Sequence, residues 1–403
     1  MKTLYFDSAA TTPIDERVKE AMELNQSDAL ANPSSVHIFG QAANGALDEA
    51  REAMVAEFGV EFRSTIFTSG ATEANNLVLR GALKAFYRSF RSEALIPPRI
   101  IISGIEHDSV IHTAQDIAEE GVEVVIIPAE KNGIVSQKKV IEAINERTIL
   151  VSVMTVNNET GAIQPIAEIG RAVRVIREEG MNTKSLFSNS PYPIFHTDAV
   201  QTVRYMSCNL DDLNADIITV SGHKIGGPRG VGALMMKPIG KYGLGRAIQP
   251  MIMGGGQEFG MRSGTENVSA IFGFGEAIKI AGKEREKNIK KVSEVRRVFL
   301  EELKKYFPKA EVNGSGKVSP HILNIWLPGH ASADIVTKCD MAGAAISYGS
   351  ACGAKSFKPS HVLSAMGLSE KRIKESVRIS FGPGDTITEA KEGAKRIKKA
   401  LIH

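Results

Sequence analysis

Between about residues 64 and 236, short β-branched apolar runs alternate with longer stretches of helical period, and this alternation constrains the fold more than any other feature. Runs at 63–68, 99–103, 122–127, 148–153, 194–197, 216–220 and 231–236 read as buried strands; amphipathic patterns at 72–90, 109–120, 137–145 and 167–179 read as helices between them. The pattern predicts an α/β fold, a mainly parallel sheet with helices on both faces. Ligands of such sheets sit at the carboxyl ends of the strands, so functional side chains are sought there.

From about 266 to 305 a long charged helical run follows, then shorter elements: strands at 321–327 and 377–380 and helices at 332–338, 360–366 and 386–401. These read as a smaller α+β domain. The polar segment 181–193, with two prolines, is longer than a compact connection needs and reads as a surface insertion.

Charge and composition exclude several classes. Forty-nine basic against 46 acidic residues leave a net charge of +3, without the clustered base of a nucleic-acid binder, so no direct nucleic-acid contact is expected. No stretch approaches the roughly 18–20 apolar residues of a membrane span. Asp7 interrupts the N-terminus before the apolar core of a signal peptide, and the expected location is cytoplasmic. Cys208, Cys339 and Cys352 form no C-x-x-C pair, which argues against a disulfide framework and a structural metal site.

Several strand-end positions carry candidate chemistry. Thr68-Ser69-Gly70-Ala71-Thr72-Glu73 follows a strand and opens a helix, where backbone N–H groups and the helix dipole favour a phosphate; a plain N-cap is the alternative. Lys224 follows the strand at 216–220 and is placed to form a Schiff base, or is a solvated loop lysine. With Asp198 ending another strand, the three positions supply what pyridoxal phosphate demands: a lysine, a carboxylate for the ring nitrogen and a helix start for the phosphate. His107 suits ring stacking and proton transfer, or binds backbone at a helix start. Asn158 suits a ring oxygen, although Asn157-Asn158 before Gly161 is equally a turn. Cys352, between Gly349 and Gly353, lies where a mobile nucleophile is plausible and would need a cationic neighbour or base to become thiolate. Lys355 and His361 are near it in sequence. Cys208 and Cys339 read as small apolar fillers. Arg378 is either a surface arginine of an edge strand or a bidentate anchor for a carboxylate.

Together, Tyr5-Phe6-Asp7-Ser8-Ala9-Ala10-Thr11-Thr12-Pro13, Asn32-Pro33-Ser34-Ser35, Thr68 to Glu73, Glu106-His107, Val156-Asn157-Asn158-Glu159, Asp198-Ala199-Val200-Gln201, Ser221-Gly222-His223-Lys224 and Met261-Arg262-Ser263-Gly264-Thr265 resemble the cysteine desulfurases of the class V aminotransferase superfamily. The resemblance runs in order from Leu4 into the C-terminal region. It implies the type I fold of pyridoxal phosphate enzymes, with Lys224 joined to the coenzyme, Asp198 on its ring nitrogen and His107 stacked on it as acid and base. Ala71, Thr72, Ser221 and His223 would hold the phosphate, and Asn158 and Gln201 would lie near the ring oxygen. Arg378, assisted by Asn32, would anchor the carboxylate of L-cysteine. A homodimer is implied, with Thr265 reaching the other subunit's phosphate. Cys352 would take the sulfur as a persulfide, leaving L-alanine, and pass it to an acceptor or scaffold protein for iron–sulfur cluster assembly or tRNA thiolation. No metal site is expected, with Cys352 left open as a transient iron–sulfur ligand.

The expected division is an N-terminal arm over 1–15 packing with the small domain, a large coenzyme-binding domain over 16–264, and a small C-terminal domain over 265–403 with the long helix and the Cys352 loop. A selenocysteine lyase or another class V aminotransferase would share all of this except the need for Cys352. A binding or scaffold protein would not need Lys224.

Overall fold

The computed structural model describes residues 2–28, 31–90, 97–181, 190–238, 247–349 and 359–402. After a two-residue strand, β1 (Leu4–Tyr5), the chain forms α1 (Glu16–Asp28) and α2 (Ile38–Phe58) and enters a seven-stranded sheet. Its strands are β2 (Thr65–Thr68), β3 (Arg99–Ser103), β4 (Glu123–Ile127), β5 (Thr148–Ser152), β6 (Ile194–Asp198), β7 (Ile217–Ser221) and β8 (Gly232–Met236), in spatial order β2-β8-β7-β6-β5-β3-β4. Only β8 runs against its neighbours. A parallel pair needs a crossover of a dozen or more residues, and the short link from β7 to β8 through residues 222–231 cannot supply it.

Successive side chains of a strand face opposite sides, and here both sides are buried. Ile66, Ile100, Ile102, Leu150, Ile217 and Leu234 pack under α3 (Ala71–Ser89) and α4 (Asp108–Glu119). Their neighbours Phe67, Ile101, Val151, Ile218, Ala233 and Met235 join the opposite core, which includes α2 and α6 (Ile166–Met181). The short helices α5 (Gln137–Ala143) and α7 (Leu210–Leu213) complete this part.

The 39-residue α8 (Val268–Tyr306), about 58 Å long at 1.5 Å per residue, crosses from one core to another. Ile271, Phe274 and Ile278 pack under the large sheet, and Val292, Val295, Phe299 and Leu303 in the C-terminal core. That core covers an antiparallel sheet of β9 (Glu311–Val312), β10 (Ile322–Trp326) and β12 (Ser376–Ser380), with α9 (Ser332–Met341) and α12 (Ile387–Leu401) packed near it. Two short helices, α10 (His361–Ala365) and α11 (Glu370–Lys374), precede β12. β1 pairs in parallel with β11 (Ala344–Ala345), and Phe6 enters the C-terminal core with ring centroids 5.5 Å from Phe299 and 5.7 Å from Phe381. Among the described residues no helix is long and apolar enough to cross a membrane.

Two features of this packing make testable demands. Thr68 and Gly232 are register partners, and a Cβ on Gly232 would lie 2.7 Å from the Gly70 carbonyl carbon and 2.8 Å from its Cα. Gly232→Ala forces two backbones apart, and overpacking of this kind costs about 1–3 kcal/mol. Denaturant unfolding of the two proteins checks the loss; coincident midpoints would show that the strand yields freely.

Glu106, just beyond β3, is fully buried. Its Oε1 accepts from Ser103 Oγ at 2.5 Å and Met154 N at 2.7 Å, while Oε2 has no partner. Burial above all, opposed by the Ser103 bond and reinforced by Asp198, pushes this carboxyl up to about 8. The folded state then keeps the proton that the unfolded chain releases near the ordinary value of about 4.3. Its contribution to stability is present at low pH and is lost as pH rises toward 8. Glu106→Gln cannot ionise, so its stability relative to the parent should grow with pH by up to about 1.4 kcal/mol per unit across that window. Unfolding curves at several pH values test this, and a difference independent of pH would refute it.

Candidate active site

Five chain turns meet at the carboxyl ends of β2, β3, β5, β6 and β7. The turn after β2 passes through Gly70 into α3, whose start has no side-chain cap. A helix N-terminus without a cap presents unpaired N–H groups and a partial positive charge. Glu73 accepts from Ser69 N at 2.8 Å and pairs with Arg262 at 2.9 Å, which braces the turn.

β6 ends in Asp198, only 4% exposed. Its Oδ1 accepts from Val200 N at 3.0 Å and its Oδ2 from Asn75 Nδ2 at 2.9 Å. Beyond β7, Ser221 leads into a tight turn with His223 and Lys224. Thr12 pins that turn, donating from N and Oγ1 to His223 O at 2.9 Å each and accepting from Gly226 N at 2.8 Å. The Lys224 amine donates to Ala9 O at 2.6 Å and Ala10 O at 2.7 Å. Burial first, then Lys224 and Arg229, brings His223 down to about 4, so it is neutral near pH 7.

After β3, His107 caps α4, as the helix-start reading expects, and it also lines the same space. Its Nδ1 accepts from Ser109 N at 3.1 Å and lies 2.8 Å from Ser109 Oγ. Burial lowers its pKa, opposed by Asp198 and reinforced by Lys224. After β5 the two asparagines divide the labour. Asn157 Oδ1 closes the turn, accepting from Glu159 N, Thr160 N and Thr160 Oγ1 at 2.8–3.0 Å, whereas Asn158 lines the cavity with an unpartnered Oδ1.

Arg378 arrives from β12 and is buried, not the surface arginine of an edge strand. It donates from Nη1 to Asn158 O at 2.8 Å and from Nη2 to Asp7 Oδ1 at 2.9 Å; its Nε has no partner. Gln201 donates to Ala9 O at 2.9 Å, and its Oε1 lies 3.1 Å from Nε2 of His321, a ring stacked on Tyr205.

Ala71, Thr72, His107, Asn158, Asp198, Gln201, Ser221, His223, Lys224 and Arg378 thus line one cavity of about 550 Å³. Asn32 is exposed and outside this lining, its Oδ1 accepting from Ser34 N at 2.9 Å. Thr265 is also exposed and outside it. Cys352, its neighbour Lys355 and residues 182–189 of the insertion lie outside the described residues. Cys208 and Cys339 are buried, with thiols pushed well above their ordinary range by burial. Sequence reasoning assigned no role to the wall formed by Ala9, Ala10 and Thr11, or to Met154, Arg229 and Asn75. The arm residues stood inside a recognised motif; Asn75 looks like any polar residue of an amphipathic helix.

This donor set fits pyridoxal phosphate. A phosphate would find an uncapped helix start with Thr72 and Ser221 in the same lining, a ring N–H would find the Asp198 carboxylate, and an aldehyde the Lys224 amine. The unpartnered Asn158 Oδ1 and Arg378 Nε are buried polar atoms in the wall, of the kind a bound ligand satisfies.

The family model for aminotransferase class-V matches residues 4–392. A Bacillus subtilis relative assigned to the cysteine desulfurases is 40% identical over 98% of both chains. The cysteine desulfurase IscS of Dictyoglomus turgidum is 36% identical over 94% of this chain and 90% of its own. A solved NifS-like protein superposes with a TM-score of 0.86 at 31% identity, covering 99% of each chain. Family model, relatives and superposed fold span the same strand-end cavity, and the chain belongs to the class-V aminotransferases and, among them, to the pyridoxal phosphate-dependent cysteine desulfurases.

Proposed function

We propose that the cavity takes sulfur from L-cysteine with Lys224, Asp198, His107 and Arg378 in distinct roles, and that Cys352 receives the sulfur. The observation that carries the reading is the convergence of Lys224 and Asp198, at the ends of adjacent strands, on the uncapped start of α3. When bound, pyridoxal phosphate supplies an electron sink that acidifies the α-proton of an attached amino acid.

Asp198, with an N–H donated to each oxygen, would be the partner that holds a proton on the ring nitrogen. Lys224 holds the coenzyme and, once released, moves the α-proton at its Nζ. His107 covers the ring and exchanges a proton at Nε2, since Nδ1 is engaged with Ser109. Arg378 presents its unpaired Nε and adjoining Nη2 to the substrate carboxylate, a geometry suited to two parallel bonds. The Cys352 thiolate then attacks the substrate sulfur; the Cβ–S bond breaks, its electron pair stays with the substrate carbon, and protonation there yields alanine. A persulfide remains on Cys352 for an acceptor protein, which serves iron–sulfur cluster assembly or tRNA thiolation in the cytoplasm.

The chain acts as a homodimer in this reading, with Thr265 completing the phosphate site of the partner. Thr265 is exposed close to Met251, Ile252, Met253 and Phe259, an uncovered apolar stretch that supports such an interface. Residues 1–15 form the arm, 16–264 the large domain and 265–403 the small one; the separate cores and the span of α8 support this division.

Incubation of the purified protein with L-cysteine should release alanine and place one extra sulfur on the Cys352 peptide, read by mass spectrometry. Lys224→Ala should abolish both products, and Cys352→Ser should abolish the persulfide; a Cys352→Ser protein releasing alanine and sulfide at the parental rate would sink the role of that thiol. Arg378→Lys should raise the KM for cysteine about tenfold or more, with a smaller change in kcat. An unchanged KM would remove Arg378 from carboxylate binding.

A further inference from the structure

Asn75 lies in the second turn of α3, fully buried beneath the cavity, and does not belong to its lining. Its Nδ2 donates to Asp198 Oδ2 and to Ser109 Oγ, both at 2.9 Å. Its Oδ1 has no partner among the described residues. A buried carbonyl left unsatisfied is a cost that a leucine of similar size would avoid, so packing does not explain an amide here. What the amide offers is two hydrogens at once.

The polarity of the surrounding bonds is fixed. A carboxylate oxygen accepts from an amide N–H, so Nδ2 and not Oδ1 faces Asp198. The second Nδ2 hydrogen makes Ser109 Oγ an acceptor, which leaves the hydroxyl hydrogen for His107 Nδ1, 2.8 Å away. His107 Nδ1 already accepts from the Ser109 backbone N–H. One side chain therefore braces the carboxylate on one side and the residue that orients the His107 ring on the other.

We propose that Asn75 is a positioning residue for the coenzyme: its amide holds the Asp198 carboxylate in the orientation that keeps the ring nitrogen protonated. Val200 N secures only Oδ1, and without Asn75 the second oxygen loses its donor. A carboxylate with a fixed donor on each oxygen keeps one orientation, and one with a single donor can turn about its Cβ–Cγ bond. The inference rests on the assignment of Asp198 to the ring nitrogen made in the preceding section.

Full-length protein reconstituted with pyridoxal 5'-phosphate labelled with nitrogen-15 in the ring gives the readout by NMR, together with the coenzyme dissociation constant. The parent should show a protonated ring nitrogen. Asn75→Leu should weaken coenzyme binding about tenfold and let the ring nitrogen lose its proton at a lower pH than in the parent. If Asn75→Leu does not fold, Asn75→Ala carries the same comparison.

An Asn75 variant with parental affinity and a parental ring-nitrogen titration overturns the inference. Asp198→Ala separates the two levels. If it leaves the ring nitrogen protonated, the assignment of Asp198 fails, and this inference with it. If Asp198→Ala disturbs ring and affinity while Asn75→Leu disturbs neither, the inference alone fails.

Discussion

A carboxylate taken out of water must be given donors, and the placement of Asp198 at the buried end of β6 sets much of the architecture around it. One donor comes from its own turn, and the other from a helix that must pass below the strand ends. α3 can do so only if it starts close against the sheet, and β8 allows this by presenting Gly232 where any side chain would strike Gly70. The helix that supplies the amide thus also delivers an uncapped N-terminus to the same cavity. Positive potential for an anion and a donor for the buried carboxylate come from one short piece of chain, Gly70 to Asn75.

The second organising element is the stretch from Leu4 to Thr12. Phe6 is locked among aromatic rings of the C-terminal core, Asp7 holds Arg378, Ala9 and Ala10 receive the Lys224 amine, and Thr12 fixes the turn on which that lysine stands. Within nine residues the chain touches the small sheet and the large one. The two sheets meet at the cavity through this strip as well as through α8.

Much of this was legible in the sequence because fully buried parallel strands leave continuous apolar runs. The run at 99–103 coincides with β3, that at 148–153 exceeds β5 by one residue, and the long charged helix expected over 266–305 spans 268–306. The strands at the two ends of the chain order were harder. β1, β9 and β11 have two residues each, too few to show a period. The reversal of β8 is not written in its residues, although the short gap after β7 implies it. In the site, strand-end logic and the family motifs brought together ten of the twelve non-cysteine positions in one lining, because those motifs sit where the sheet geometry focuses them. Asn32 and Thr265 stand outside that lining in a single chain. Asn75 was not legible, since a polar residue in an amphipathic helix looks the same whether it meets solvent or a buried carboxylate.

The arm also orders events in biosynthesis. Leu4 pairs with Ala344, Ala9 N donates to Ser380 Oγ, and Asp7 reaches Arg378 across 371 positions of sequence. The ribosome makes residues 4–9 long before their partners at 344–380 exist, so they wait while the large sheet condenses behind them. Only when β12 has emerged do they settle over the lysine, and a nascent chain therefore cannot own a finished catalytic chamber until residues 376–380 have been added.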